Sequence, residues 1–229
     1  MSTDATIEAV LERSRRLGFL GPGSVRVHVR HALAFAAATP DPPGRVLDLG
    51  SGGGVPGLVL AAQVWTASDF VLLDAGERRC AFLEQAVTDL GLGPHVRVVR
   101  GRAEVAGRDP ELRASFDAVV ARAFGPPAVT AECGAPFLRI GGPLIVSDPP
   151  VDGEGGDSPA AVAAGDDEGS DDAPPRRGER WPPEGLARVG LVVERVWTDP
   201  FHHRSLRLEQ PCPDRYPRRD GVPARRPLF

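Results

Sequence analysis

Apolar positions at the start of the chain recur at helical spacing. Ile7, Val10, Leu11, Ser14 and Leu17 fall at i, i+3, i+4, i+7 and i+10, with Glu8, Glu12, Arg13 and Arg16 outside the stripe, which predicts a helix over residues 5–17. Glycines at 18, 21 and 23 break it. Val25, Val29, Leu33 and Ala36 then mark one side of a second helix over about 25–38, and residues 40–44 read as a turn.

Beyond residue 44 the pattern changes to short apolar runs separated by amphipathic stretches. Strands are predicted at 45–49, 70–74, 96–100, 116–120 and 143–146. Helices are predicted at 56–67, 77–91 and 128–138; the second carries Cys80, Leu83, Val87 and Leu90 on one face. Such alternation implies a parallel sheet covered on both faces. Residues 186–198 and 203–209 read as two antiparallel strands that complete it. The fold expected is therefore α/β, Rossmann-like, with a seven-stranded and mostly parallel sheet and an N-terminal helical cap. The cap covers 1–40 and the core 41–150. Residues 151–180, dominated by Gly, Asp, Glu, Ser, Pro and Ala, read as a disordered acidic insertion. Residues 181–229 rejoin the core domain, and the stretch from 211 onward, rich in Pro and Arg, reads as extended.

Composition narrows the class. An apolar fraction of 41% over 229 residues suits one globular domain. No apolar run approaches the roughly 20 residues of a membrane-spanning helix, and Met1–Thr6 opens no secretory signal pattern. A cytoplasmic, non-membrane protein, monomeric, is expected. Cys80, Cys133 and Cys212 are widely spaced and form no CxxC pair, so neither a disulfide framework nor a metal site is expected. The net charge of −4 argues against a wholly basic nucleic-acid binder, yet the charge is uneven. Acidic residues crowd 152–172, while Arg204, Arg207, Arg215, Arg218, Arg219, Arg225 and Arg226 crowd the end.

The candidate chemistry lies in Asp48-Leu-Gly-Ser-Gly-Gly-Gly54, which follows a strand and precedes a helix. Gly50, Ser51 and Gly52 offer a ligand bare main chain, and the helix N-terminus beyond carries partial positive charge. The D-x-G-x-G opening sets an acidic residue inside the strand. That carboxylate suits an ammonium or loop amides and repels a pyrophosphate, which favours S-adenosylmethionine over a dinucleotide. Asp74, at the end of the second strand, is placed to accept from both ribose hydroxyls. Arg102-Ala103-Glu104 ends the third strand beside the expected adenine. Arg122, at the end of the fourth, points into the site and can bind a carboxylate or phosphate. Phe124 suits either base stacking or core packing. His202 and His203 read as strand-edge residues.

Several stretches resemble the bacterial G-type small-subunit ribosomal RNA methyltransferases, the RsmG or GidB family. They are Val46-Leu-Asp-Leu-Gly-Ser-Gly-Gly-Gly-Val-Pro-Gly-Leu58, Leu72-Leu-Asp74, Arg78-Arg-Cys-Ala-Phe-Leu83, Gly101-Arg-Ala-Glu104, Ala121-Arg-Ala-Phe124 and the arginine-rich end from Arg215 to Leu228. The resemblance implies a class I methyltransferase whose Gly50, Val55, Ala103, Glu104 and Arg122 contact S-adenosylmethionine. It implies methylation of a guanine N7 in 16S ribosomal RNA, with the ribosomal RNA or the small subunit as partner. On the substrate side Arg122, His31, Arg215, Arg218 and Arg219 are candidates, the last three through phosphates. No catalytic residue is assigned. The chain departs from the family on the cap and substrate side: only His31 survives from its H-x-x-D-S pattern, and Ser147-Asp148 stand where a lysine is usual. A class I methyltransferase for a small molecule or other substrate, and a non-catalytic paralogue that binds cofactor or RNA, fit the same residues.

Overall fold

The structure, a computed structural model, describes residues 6–149 and 180–229. The expected acidic insertion lies, except for Arg180, outside the described residues. Helix α1 (Ile7–Arg16) starts where the Thr6 hydroxyl accepts from the Ala9 amide, and α2 (Val25–Leu33) where the Ser24 hydroxyl accepts from the Val27 amide. Both caps supply acceptors that a helix start otherwise lacks. The second helix is shorter than the periodicity predicts. It tightens into a 3-10 turn at Ala34–Ala38, which buries Phe35.

Seven strands form one sheet in the order β3-β2-β1-β4-β5-β7-β6. They are β1 (Arg45–Leu49), β2 (Asp69–Asp74), β3 (Val96–Arg100), β4 (Ala118–Ala121), β5 (Pro143–Ser147), β6 (Leu191–Trp197) and β7 (His203–Leu208). All run parallel except β7, which inserts antiparallel between β5 and β6. The strand expected at 116–120 begins later, and Phe116 makes only an isolated bridge to Leu138. The helices are α3 (Gly57–Gln63), α4 (Glu77–Asp89), α5 (Ala103–Ala106), α6 (Pro127–Gly134), α7 (Pro183–Ala187) and α8 (Val222–Arg225).

Alternation along each strand divides the core. Leu47, Leu49, Val71 and Leu73 face α5, α6 and α7, while Val46, Phe70 and Leu72 face the cap, α3 and α4. The cap is thus part of one core layer. Among the described residues no helix is long and apolar enough to cross a membrane.

The expectation of an extended C-terminal stretch needs correction. Tyr216 and Leu228 are buried in the layer that holds α5 and α6, and residues 222–225 form α8. Prolines deny this segment a regular ladder, so its carbonyls find side-chain donors. Arg113 donates to the carbonyls of Cys212 and Tyr216, and Arg108 to that of Pro217. Arg218, expected to meet phosphates, instead grips the fully buried Glu132 through its backbone N–H, Nε and Nη2 at 2.8, 2.8 and 2.6 Å.

Candidate functional site

The loop between β1 and α3 is held by its own polar groups. Gly50 and Ser51 donate their amides to the Leu73 carbonyl, and Gly52 donates to Asp74 Oδ2 at 2.9 Å. Gly50 has φ +73°, and a Cβ there would stand 2.6 Å from the Phe124 ring, so both backbone and space exclude a side chain. Asp48 is buried beneath the loop, where its Oδ2 accepts from the Gly57 amide at 3.0 Å and its Oδ1 has no partner. Burial pushes this carboxyl up to about 7, against the pull of the Gly57 hydrogen bond.

Two adjoining cavities open at the C-terminal ends of the parallel strands. The smaller, of about 250 Å³, is lined by Asp74, Ala103, Glu104, Phe124, Val129 and Ala224. The larger, of about 690 Å³, holds His31, Ser51, Gly52, Val55, Arg122 and Asp148. Gly50, Asp74 and Phe124 border both. The structure therefore gathers every residue expected to contact the cofactor, together with His31, around one continuous site. Arg215, Arg218 and Arg219 line neither cavity. Arg215 lies over the Tyr216 ring, Arg218 is committed to Glu132, and Arg219 is exposed.

Three charged side chains define the chemistry. Asp74 Oδ1 accepts from the Gly76 amide at 2.7 Å and from Arg79 Nε at 2.8 Å, so the carboxylate ties the glycine loop to the turn after β2. Glu104 Oε1 accepts from the Gly221 amide at 3.1 Å, which brings α8 and its Ala224 to the wall of the smaller cavity. Arg122 Nη2 sits 2.8 Å from His28 Nδ1, and among the described residues no carboxylate pairs with it. Burial lowers its guanidinium to about 10, while the nearby Asp48 works the other way. It stays cationic at neutral pH. A cation in a cavity with no carboxylate of its own is a ready partner for an oxyanion.

His31 packs between Phe35, Phe201 and His203, with ring centroids 5.9, 4.9 and 4.8 Å away. Burial, then the Arg122 charge, brings its imidazole down to about 2, and burial brings His203 down to about 4. His203 is a core residue rather than the strand-edge residue expected, with its ring stacked on Trp197.

His28 escaped the sequence reading, and so did the partners of Asp148. His28 lies on the buried face of α2 with Val25, Val29 and Ala32, at i+3 from Val25, so its position carried a usable signal. Asp148 accepts from Trp181 Nε1 at 3.0 Å and from Arg204 Nε at 3.1 Å, closing the far side of the larger cavity. That triad spans the acidic stretch and strand β7, and no local pattern announces it.

A family model described as rRNA small subunit methyltransferase G matches residues 24–147. A Symbiobacterium thermophilum protein named ribosomal RNA small subunit methyltransferase G is 36% identical over 87% of this chain and 78% of its own length. A Moorella thermoacetica protein of the same name is 33% identical over 89% and 78%. Among solved structures, a SAM-dependent O-methyltransferase from Thermotoga maritima is similar at a TM-score of 0.53 and 12% identity, covering 89% of this chain and 72% of that one. A methyltransferase from Pyrococcus furiosus is similar at 0.52 and 12%, covering 79% and 82%. These likenesses show the class I methyltransferase fold.

Proposed function

The chain belongs to the rRNA small subunit methyltransferase G family, and on that premise we propose that it methylates guanine N7 in 16S ribosomal RNA, in the cytoplasm, with S-adenosylmethionine as donor. The observation that carries the reading is the convergence of Asp74, a bare glycine loop and Arg122, which forms no ion pair among the described residues, on the lining of the larger cavity.

The residues suit this cofactor. Asp74 offers acceptors to ribose hydroxyls, and the Ala103–Glu104 backbone borders a cavity of a size for the base. Arg122 answers a carboxylate. Bound there, the cofactor supplies an electrophilic methyl group on a sulfonium. Guanine N7 carries a free lone pair in the neutral base, so no proton leaves before attack and no general base is needed. The chain's own work is then to align the two reactants and exclude water. His31, neutral and backed by the buried, neutral His203, gives the larger cavity an uncharged wall on the cap side.

Asp74→Ala is expected to weaken adenosylmethionine binding by about 1–3 kcal/mol in calorimetry, the cost of removing a charged acceptor. Unchanged affinity would detach Asp74 from the cofactor. The substrate is tested by incubating the protein and radiolabelled cofactor with under-methylated small subunits or their naked RNA, then mapping the labelled base. Asp148 favours a second reading, because it sets a carboxylate on the substrate side where this family usually has a lysine. Under that reading cofactor binds but no RNA is labelled, and the methyl acceptor is a different molecule.

A further inference from the structure

We propose that His28 is the positioning residue for Arg122: a neutral imidazole that aims the guanidinium into the larger cavity without cancelling its charge, so that the site retains a full cation for an oxyanion of the ligand. The inference rests on the proposed function for the identity of that ligand, but not for its geometry.

His28 is fully buried on α2. Its Nε2 lies 3.2 Å from the Gly21 carbonyl and its Nδ1 lies 2.8 Å from Arg122 Nη2. A carbonyl can only accept and a guanidinium can only donate. Nε2 therefore carries the proton and Nδ1 is the acceptor, so both partners together select one tautomer. Burial, and then the Arg122 charge, lower the tendency of this imidazole to protonate. It stays an acceptor at neutral pH.

The choice of side chain matters. Arginines held inside proteins are ordinarily oriented by carboxylates, and this molecule does so elsewhere, with Arg218 on Glu132 and Arg204 on Asp148. Each of those pairs is electrically spent. At Arg122 the orienting group is neutral, and the nearest acid with influence, Asp48, hydrogen-bonds Gly57 instead. His28 also joins three parts of the site. It stands on the cap helix, holds the 18–22 loop that borders the larger cavity through Gly21, and reaches the end of β4 through Arg122. The shared chemistry of the expected ligand group is an oxyanion, either the cofactor carboxylate or an RNA phosphate.

The test compares His28→Asn with His28→Asp. Both place an oxygen acceptor near the position of Nδ1 and both lose the Gly21 contact. They are nearly the same size and differ in charge and in the amide donor group that Asn carries. Calorimetry with adenosylmethionine is one arm, 5′-methylthioadenosine, which lacks the amino-acid carboxylate, is a control, and KM for under-methylated RNA is the other arm. If Arg122 faces the carboxylate, the Asp variant should bind adenosylmethionine at least about tenfold more weakly than the Asn variant, with equal methylthioadenosine affinities. If it faces a phosphate, the same ratio appears in KM for RNA while kcat and adenosylmethionine affinity stay matched. Equal behaviour of the two variants in both arms overturns the proposal. Matched methylthioadenosine binding also shows that both variants fold. A wild-type protein that binds adenosylmethionine but labels no RNA sinks the substrate reading, while the first arm still decides the role of His28.

Discussion

Taken from pH 7 to pH 4, the folded protein is expected to lose about 3 kcal/mol of stability, and the Asp48→Asn variant about twice that. Three buried groups with the largest shifts in this pH range set this figure, and His28, shifted in the same direction as the other histidines, adds to the loss. His31 and His203 hold folded values of about 2 and about 4, against 6.5 for a free imidazole. Below pH 6.5 the unfolded chain takes up protons on both that the fold refuses. Each group therefore withdraws about 1.4 kcal/mol of stability per pH unit as the pH falls, near 3 kcal/mol apiece by pH 4. Asp48 acts in the opposite sense. Its folded value of about 7 lies above that of a free carboxyl, so between pH 7 and pH 4 the fold holds a proton that the unfolded chain releases. Acidification relieves that burial cost by a similar amount. Two groups outweigh one, and removing the carboxylate leaves the histidines unopposed. Denaturant titrations at constant ionic strength across that range measure the slope. Stability that rises on acidification, or a variant that parallels the wild type, would contradict the assignment of these groups.

The second large effect belongs to Arg218. Arg218→Ala is expected to cost about 3–5 kcal/mol, far more than a surface arginine, because Glu132 is fully buried and draws three hydrogen bonds from this one residue. Only the backbone donor survives the substitution, and a buried carboxylate on α6 is left without its cation. Replacing both partners with apolar side chains of similar size, Glu132→Leu with Arg218→Met, should restore most of the loss, since a buried pair contributes little beyond what its own desolvation costs. A single-variant loss under about 1 kcal/mol would instead describe a solvated, interchangeable arginine. The same substitution should reach the cofactor. Gly221 and Ala224 follow Arg218 in the chain, and they hold Glu104 and line the smaller cavity. Weaker adenosylmethionine binding is expected to accompany the stability loss.

Much of the parallel half of the fold was legible because its signals are local. β1, β2, β3 and β5 are short apolar runs bounded by turn residues, and observed limits fall within a residue or so of those expected. The glycine loop reads from sequence for the same reason, since its conformation requires residues without a side chain. What the pattern hid depends on partners distant in the chain. The segment after Pro211 has the proline and arginine content of a solvated tail, yet its order comes from Arg108, Arg113 and Glu132, all of which precede it by many residues. A composition rule sees donors and acceptors but not which of them meet. His28 was missed for a different reason. Its spacing placed it on the buried face, but a histidine amid valines reads as packing until Arg122, 94 residues later in the chain, is seen to reach it from the end of β4.

The insertion of β7 between β5 and β6 has a consequence for the order in which the chain is made. β5 receives its outer hydrogen-bonding partner only from His203–Leu208. Until that segment has left the ribosome, Leu144, Ile145 and Val146 lie on an open strand edge, with the residues proposed to contact the cofactor, up to Arg122, already synthesised but no closed sheet to hold them. A chain that ends in the acidic stretch therefore keeps the β5 edge unpaired, and an unpaired apolar edge is the kind of surface through which incomplete chains aggregate.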